Sequence, residues 1–170
     1  MKSKTLSKLK LLDKLKKIIG FERQKGKKVV FTNGCFDLLH IGHIRYLKAA
    51  KKLADILIVA INSDSSIKKI KGELRPVYPE KERAEILSAF SFVDYIVIFA
   101  ESDPIKVVSE LKPDVLIKGG DWSIDKVLGK DIVESYGGKV MTIPMIKGYS
   151  TTNLIKKIVK LEGYGTRNNQ

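Results

Sequence analysis

The run Asp55-Ile-Leu-Ile-Val-Ala-Ile-Asn62 constrains this chain more than any other stretch. Six successive apolar residues, mostly β-branched, suit a strand covered on both faces, the condition of an interior strand in a parallel sheet. Shorter runs of the same kind stand at Lys28–Asn33, Tyr95–Phe99, Val115–Lys118 and Lys139–Pro144. Between them lie stretches with helical spacing: 39–53, 80–90 after Pro79, one opening at Asp103-Pro104, 125–136 ending at Gly137-Gly138, and 152–161. A loop rich in Ser, Lys and Gly is expected over 63–78. Strands alternating with helices predict an α/β domain: a five-stranded parallel sheet with helices on both faces. Such sheets bind ligands beyond the carboxyl ends of their strands, which directs attention to 33–43, 62–78, 119–123 and 144–152.

A length of 170 residues suits one such domain. Cys35 is the only cysteine, which excludes an internal disulfide and a multi-cysteine metal site. No apolar run approaches the roughly 20 residues of a membrane span. The first residues lack the pattern of a secretory signal, so the expected location is the cytoplasm. The formal charge of +13 is unevenly placed. Residues 1–28 hold eleven Lys/Arg against two acids, a net of +9, while the rest of the chain is only +4. Clustered lysines suit nucleic-acid phosphates, yet Leu6, Leu9, Leu12, Leu15 and Ile19 recur at helical steps with lysines between them. Residues 1–27 are therefore expected to form a basic amphipathic helix and linker, with nucleic acid not the partner. Residues 28–162 form the working domain, and 163–170 a flexible tail.

Both histidines of the chain, His40 and His43, lie three apart at the expected start of a helix. There, unpaired backbone N–H groups and the helix dipole favour an anion. Gly34 and Gly42 leave room for a phosphate to approach the backbone. Two imidazole donors at that place suit charge developing on phosphoryl oxygens. A shared metal is the other chemistry open to such a pair, but Cys35 and Asp37 are the only ligands nearby, so no protein-held metal is expected. Neither G-x-x-x-x-G-K-[ST] nor G-x-G-x-x-G occurs, which removes the main support for a P-loop enzyme or a dinucleotide dehydrogenase.

Gly34-Cys-Phe-Asp-Leu-Leu-His-Ile-Gly-His43 resembles the H-x-G-H signature of the cytidylyltransferase-like nucleotidyltransferase superfamily. Gly148-Tyr-Ser-Thr-Thr-Asn153 is similar to its second signature. The ordered set Phe31–Asp37, Asn62-Ser-Asp64, Lys71-Gly-x-x-Arg75-Pro-Val77, Lys118-Gly-Gly-Asp121 and Ser150-Thr-Thr-Asn153 looks like the adenylyltransferase domain of ADP-heptose synthesis. That resemblance implies a Rossmann-like fold and a homodimer. It also implies transfer of an adenylyl group from ATP, carrying Mg²⁺, to D-glycero-β-D-manno-heptose 1-phosphate. It gives His40, His43 and Lys71 catalytic roles. It places the nucleotide on Asn33, Gly34, Cys35, Phe36, Asp37, Gly42, Gly119 and Asp121, with Ser150, Thr151 and Thr152 at its terminal phosphates. Arg75, Arg83 and Trp122 fall to the acceptor.

Each assignment has a plainer counterpart. The hydroxyls at 150–152 sit where a helix N-cap is expected. Lys71 stands beside Lys68 and Lys69, Arg83 beside Glu80 and Glu82, and Trp122 either covers the site or shields the core. Related glycerol-phosphate cytidylyltransferases carry an arginine just before the S-T-T segment, where this chain has Lys147. The alternatives are a CTP-dependent enzyme acting on an alcohol phosphate, or a protein that binds nucleotides or nucleic acid without catalysis.

Overall fold

The computed structural model of the chain describes residues 7–120, 123–144 and 148–165, the last four by backbone alone. Asp121, Trp122, Lys147, Leu6 and residues 166–170 lie outside the described residues. Five strands form one parallel sheet: β1 (Val29–Gly34), β2 (Ile56–Asn62), β3 (Tyr95–Phe99), β4 (Val115–Gly119) and β5 (Lys139–Ile143), in the order β3-β2-β1-β4-β5. This is the Rossmann-like α/β arrangement expected from the alternation. All seven residues of β2 are buried, and successive side chains enter opposite cores. Ile56, Ile58 and Ala60 join Leu15, Ile19, Phe31 and Leu111 on one face. Leu57, Val59 and Ile61 join Leu47, Ala84, Leu87 and Ile117 on the other. A period of two, buried twice, is why the run at 56–61 reads as continuous.

Among the described residues seven helices accompany the sheet: α1 (Leu12–Gln24), α2 (Ile41–Lys51), α3 (Asp64–Lys71), α4 (Glu80–Ser88), α5 (Ile105–Leu111), α6 (Lys130–Ser135) and α7 (Thr151–Gly165). Three differ from expectation. The stretch 63–78 is not all loop, because α3 occupies its first half. Apolar periodicity gave no sign of α3, whose buried residues are Ser66 and Ile67. Capping explains it instead: Ser63 Oγ accepts from Ser66 N–H at 3.2 Å, and Lys68, Lys69 and Lys71 complement the dipole in the last turn. The helix expected over 125–136 is broken. A 3-10 turn (Ile124–Lys126) precedes α6, and Gly129 between them takes φ +92, a left-handed conformation open to glycine. Among the described residues the leader helix begins at Leu12, with Leu9 ahead of it. Residues 8–10 instead run beside edge strand β3, where Ile96 N–H donates to Lys8 O and Lys10 N–H to Ile96 O, each at 2.9 Å. An edge strand leaves unpaired backbone groups, and this segment satisfies them.

The leader contributes to the core, since Leu15 and Ile19 of α1 are fully buried against β1, β2 and α5 residues. Among the described residues no helix is long and apolar enough to cross a membrane. Leu15→Ala is expected to destabilise the protein by about 2–5 kcal/mol, whereas Leu11→Ala, at a position 82% exposed, should stay within about 0.5 kcal/mol. Urea denaturation followed by circular dichroism measures both.

Candidate active site

The strand order reverses at β1, whose chain leaves toward β2 on one side while β4 returns on the other. At the carboxyl ends there a cavity of ≈ 490 Å³ opens, with β1's exit loop, α2, α3 and α7 around it. Tyr46 of α2 lies in its floor. The Tyr46 hydroxyl donates to Ile117 O at 3.3 Å and pairs with the Thr32 hydroxyl at 2.6 Å, bridging β1 and β4. Gly119 suits this packing, because a Cβ there would lie 3.2 Å from the Tyr46 ring, a tight contact. The structure brings Asn33 through Asp37, His43, Lys71, Gly119 and Thr151 to this one wall.

The two histidines are held together but are not equivalent. His40 is the extended residue preceding α2, and His43 lies in its first turn. Their rings stack at 3.9 Å between centroids, with Phe36 5.4 Å from His43. His43 lines the cavity; His40 stands behind it, its Nδ1 buried without a protein partner. His40 N–H donates to His43 Nδ1 at 3.4 Å, so the neutral His43 ring carries its proton on Nε2. Burial first, then the neighbouring His40 and Lys71, push His43 down to about 4, and burial alone lowers His40. At neutral pH His43 therefore presents a neutral N–H donor. Gly42 also makes room for this arrangement: a Cβ on it would meet the His40 ring at 2.9 Å.

Three charged residues turn out to be committed elsewhere. Arg83 was expected at the acceptor or paired with Glu80 and Glu82. It is instead fully buried, donating to Tyr78 O (3.0 Å), Cys35 O (2.6 Å), Asn62 O (2.8 Å) and Asp64 Oδ1 (2.8 Å). A guanidinium with four fixed protein acceptors has little left to offer a ligand. Arg75, also assigned to the acceptor, forms an ion pair with Asp37. Asp37 is 3% exposed, and its Oδ1 accepts from Val77 N–H (2.8 Å) and Tyr78 N–H (3.1 Å), so it clasps the 75–78 segment.

The hydroxyl triplet divides by role. Ser150 caps α7, its Oγ accepting from Asn153 N–H at 3.1 Å. Thr151 faces the cavity and donates to Leu38 O at 3.3 Å, while Thr152 is exposed and off the wall. Two wall residues stand in the sequence motifs but had no role assigned there. Asn62 is buried, with its amide on Ser66 Oγ at 3.0 Å. Lys118 reaches Asn33 Oδ1 at 3.2 Å, and burial lowers its pKa. A lysine in the last turnings of a strand, just before paired glycines, was the available signal.

Comparison with known proteins agrees with this architecture. Residues 31–157 match the family model described as cytidylyltransferase-like, and the chain belongs to that family. It is 51% identical over 153 residues to the bifunctional protein HldE of Syntrophotalea carbinolica, covering 90% of this chain and 31% of that protein. For the bifunctional protein HldE of Geobacter metallireducens the identity is 52% over 157 residues, covering 92% and 32% respectively. The chain thus spans about a third of the length of these relatives. A solved structure, the lipopolysaccharide core biosynthesis protein of Thermoplasma volcanium, aligns with TM-score 0.59 and 34% identity over 74% of this chain and all of that one.

Two outcomes follow from the geometry. Arg83→Met should cost about 3–5 kcal/mol in denaturant unfolding, because buried acceptors and Asp64 lose their partner. The His43 ring should titrate near pH 4 by NMR in the free protein and higher once a triphosphate is bound. Its folded value lies below the ordinary 6.5, so the unfolded chain takes up the proton first. The contribution of this ring to stability is therefore lost as pH falls from about 6.5 to about 4.

Proposed function

We propose that this chain is an adenylyltransferase that joins ATP and a sugar 1-phosphate, D-glycero-β-D-manno-heptose 1-phosphate above others, releasing pyrophosphate. The observation that carries the reading is His43, a neutral Nε2–H donor on the wall of a cavity it shares with Lys71 and Thr151. The N-termini of α2 and α7 adjoin the same space, and the positive ends of helices suit phosphates. The choice of ATP and a heptose rests on the ordered motifs of the ADP-heptose adenylyltransferase resemblance. Half-identity with the HldE proteins along nine-tenths of the chain supports it.

In the proposed step a phosphate oxygen of the sugar attacks the α-phosphorus of ATP. The new P–O bond forms as the bond to the β-phosphate's bridging oxygen breaks, and pyrophosphate leaves with that electron pair. The attacking phosphate is already anionic, so positioning and charge stabilisation suffice. His43 donates to the phosphoryl oxygens as their charge grows, and Lys71 neutralises it. The Cys35 thiol donates to Asn62 Oδ1 at 4.0 Å, and an amide oxygen is too weak a base to activate it as a nucleophile. The site suits the triphosphate better than a protein-held Mg²⁺. Mg²⁺ prefers oxygen ligands, and the wall's carboxylate, Asp37, is spent on Arg75 and two backbone N–H groups. The ion would arrive on the triphosphate and offset its charge.

Pyrophosphate release, screened with four nucleoside triphosphates against a panel of sugar and alcohol phosphates, tests the proposal. ATP with the heptose 1-phosphate should lead. A lead by CTP with glycerol 3-phosphate would overturn it, as would nucleic-acid binding without any pyrophosphate. His43→Ala should lower kcat about 100-fold or more in a protein that still folds, the scale of one lost transition-state donor. Retention within threefold would remove His43 from the chemistry.

A further inference from the structure

The adenylyl-transfer reading divides the cavity along the strand order. It lays the nucleotide on the loop after β1 and on Gly119, at the end of β4. In the order β3-β2-β1-β4-β5 the opposite bank belongs to β2 and β3, and the acceptor sugar falls there. Asn62 at the end of β2, Ile70 and Lys71 of α3, and Ser102 from the loop after β3 line that bank. Lys71 lies close enough to His43 to lower its pKa, which suits it to phosphate. A sugar also carries hydroxyls, and these are recognised by a few polar groups fixed in advance.

Asn62 is 4% exposed and held at both ends. Its backbone carbonyl accepts from Arg83 Nη2 at 2.8 Å. Its side-chain Nδ2 donates to Ser66 Oγ at 3.0 Å, and Ser66 Oγ donates to Glu101 O at 2.8 Å. The last member fixes the direction of the chain. A carbonyl oxygen only accepts, so the single Ser66 hydroxyl proton goes to Glu101, and Ser66 Oγ must receive an N–H from Asn62. Turning the amide over would set oxygen against oxygen. Asn62 Oδ1 is thereby committed to the side of Cys35, whose thiol stands 4.0 Å away, and both residues line the cavity. A thiol at that distance is a weak donor, and an amide oxygen has two lone pairs. The wall thus presents a buried acceptor already aimed.

We infer that Asn62 Oδ1 accepts a hydrogen bond from a ring hydroxyl of the acceptor sugar, and that Ser66, anchored on Glu101 O, aims it. Such a residue sets specificity, because an analogue lacking the hydroxyl leaves the buried oxygen with the thiol alone. Ile70, half exposed beside it, offers an apolar contact to the C–H face of the ring.

This inference rests on the adenylyl-transfer reading, and the test separates the two. Pyrophosphate release by the whole chain is measured with ATP and heptose 1-phosphate, and with monodeoxy analogues that each lack one ring hydroxyl. Wild type, Asn62→Ala and Ser66→Ala are compared, with thermal melting as the check on folding. In wild type one analogue should fall about 10-fold below the parent sugar in kcat/KM, the upper range of one neutral hydrogen bond. In Asn62→Ala the parent should drop to the level of that analogue, the two then differing less than threefold. Calorimetry should find ATP affinity within threefold of wild type. Ser66→Ala, which frees the amide to turn, should weaken discrimination at the same hydroxyl by threefold or more, and it carries the test if Asn62→Ala does not fold. Discrimination that survives in a folded variant overturns the inference while leaving adenylyl transfer intact. So does discrimination that is lost instead between ATP and 2′-deoxy-ATP, 3′-deoxy-ATP or purine riboside triphosphate, because the amide would then face the nucleotide. Wild type that transfers to no sugar phosphate overturns the parent reading instead.

Discussion

The site depends on the buried guanidinium of Arg83. Three carbonyl oxygens from separate chain segments, those of Cys35, Asn62 and Tyr78, converge on it, with the carboxylate of Asp64 as counter-ion. Cys35 follows β1, Asn62 ends β2, and Tyr78 lies just ahead of α4. Left unpaired and buried, each carbonyl would cost on the order of 1–3 kcal/mol. One planar fork satisfies all of them and so fixes the loops after β1 and β2 relative to each other. Asp37 adds a second tie, from the β1 loop to the 75–78 segment. The cavity wall is rigid because its loops are pinned from behind.

The same logic explains a division of labour among polar residues that types alone do not reveal. His43 touches the cavity while His40 holds it, and Thr151 touches the cavity while Ser150 caps the helix that carries it. In each case the inner residue is aimed by its outer neighbour through a backbone or stacking contact. Neutrality matters as much as aim. A His43 ring already protonated would bind any anion strongly in the ground state. A neutral donor gains most as negative charge develops, which is the condition for accelerating transfer.

Much of this was legible in the residues, and the reasons for the rest are specific. All five strands were visible because burial on both faces leaves unbroken apolar runs. Helix α3 was not, because its stability lies in a serine cap and a lysine-rich last turn, and its two buried residues make no periodic stripe. The cavity residues from Asn33 to Asp37, with His43, Lys71 and Thr151, announced themselves by motif. Arg75 and Arg83 misled because a cation near a phosphate site looks the same in sequence whether it faces the ligand or the scaffold. Which carboxylates and carbonyls lie behind it is decided by contacts across 38 to 48 positions of chain, from Asp37 to Arg75 and from Cys35 to Arg83. Lys118 stood in a motif but drew no role, because a charged residue at the end of an apolar strand reads as an interruption.

Tyr46 carries a consequence beyond its hydrogen bonds. Its ring occupies the space a side chain at 119 would need, and its hydroxyl stitches the two strands that part at the crevice. Helix α2 is thereby moored at its middle, so displacing the backbone that carries the imidazoles would break the Tyr46 hydrogen bonds to β1 and β4. Depth and aim are set by one phenol: it stops whatever enters at the sheet's rim, and it transmits any bulk added to the neighbouring strand straight to the histidine pair.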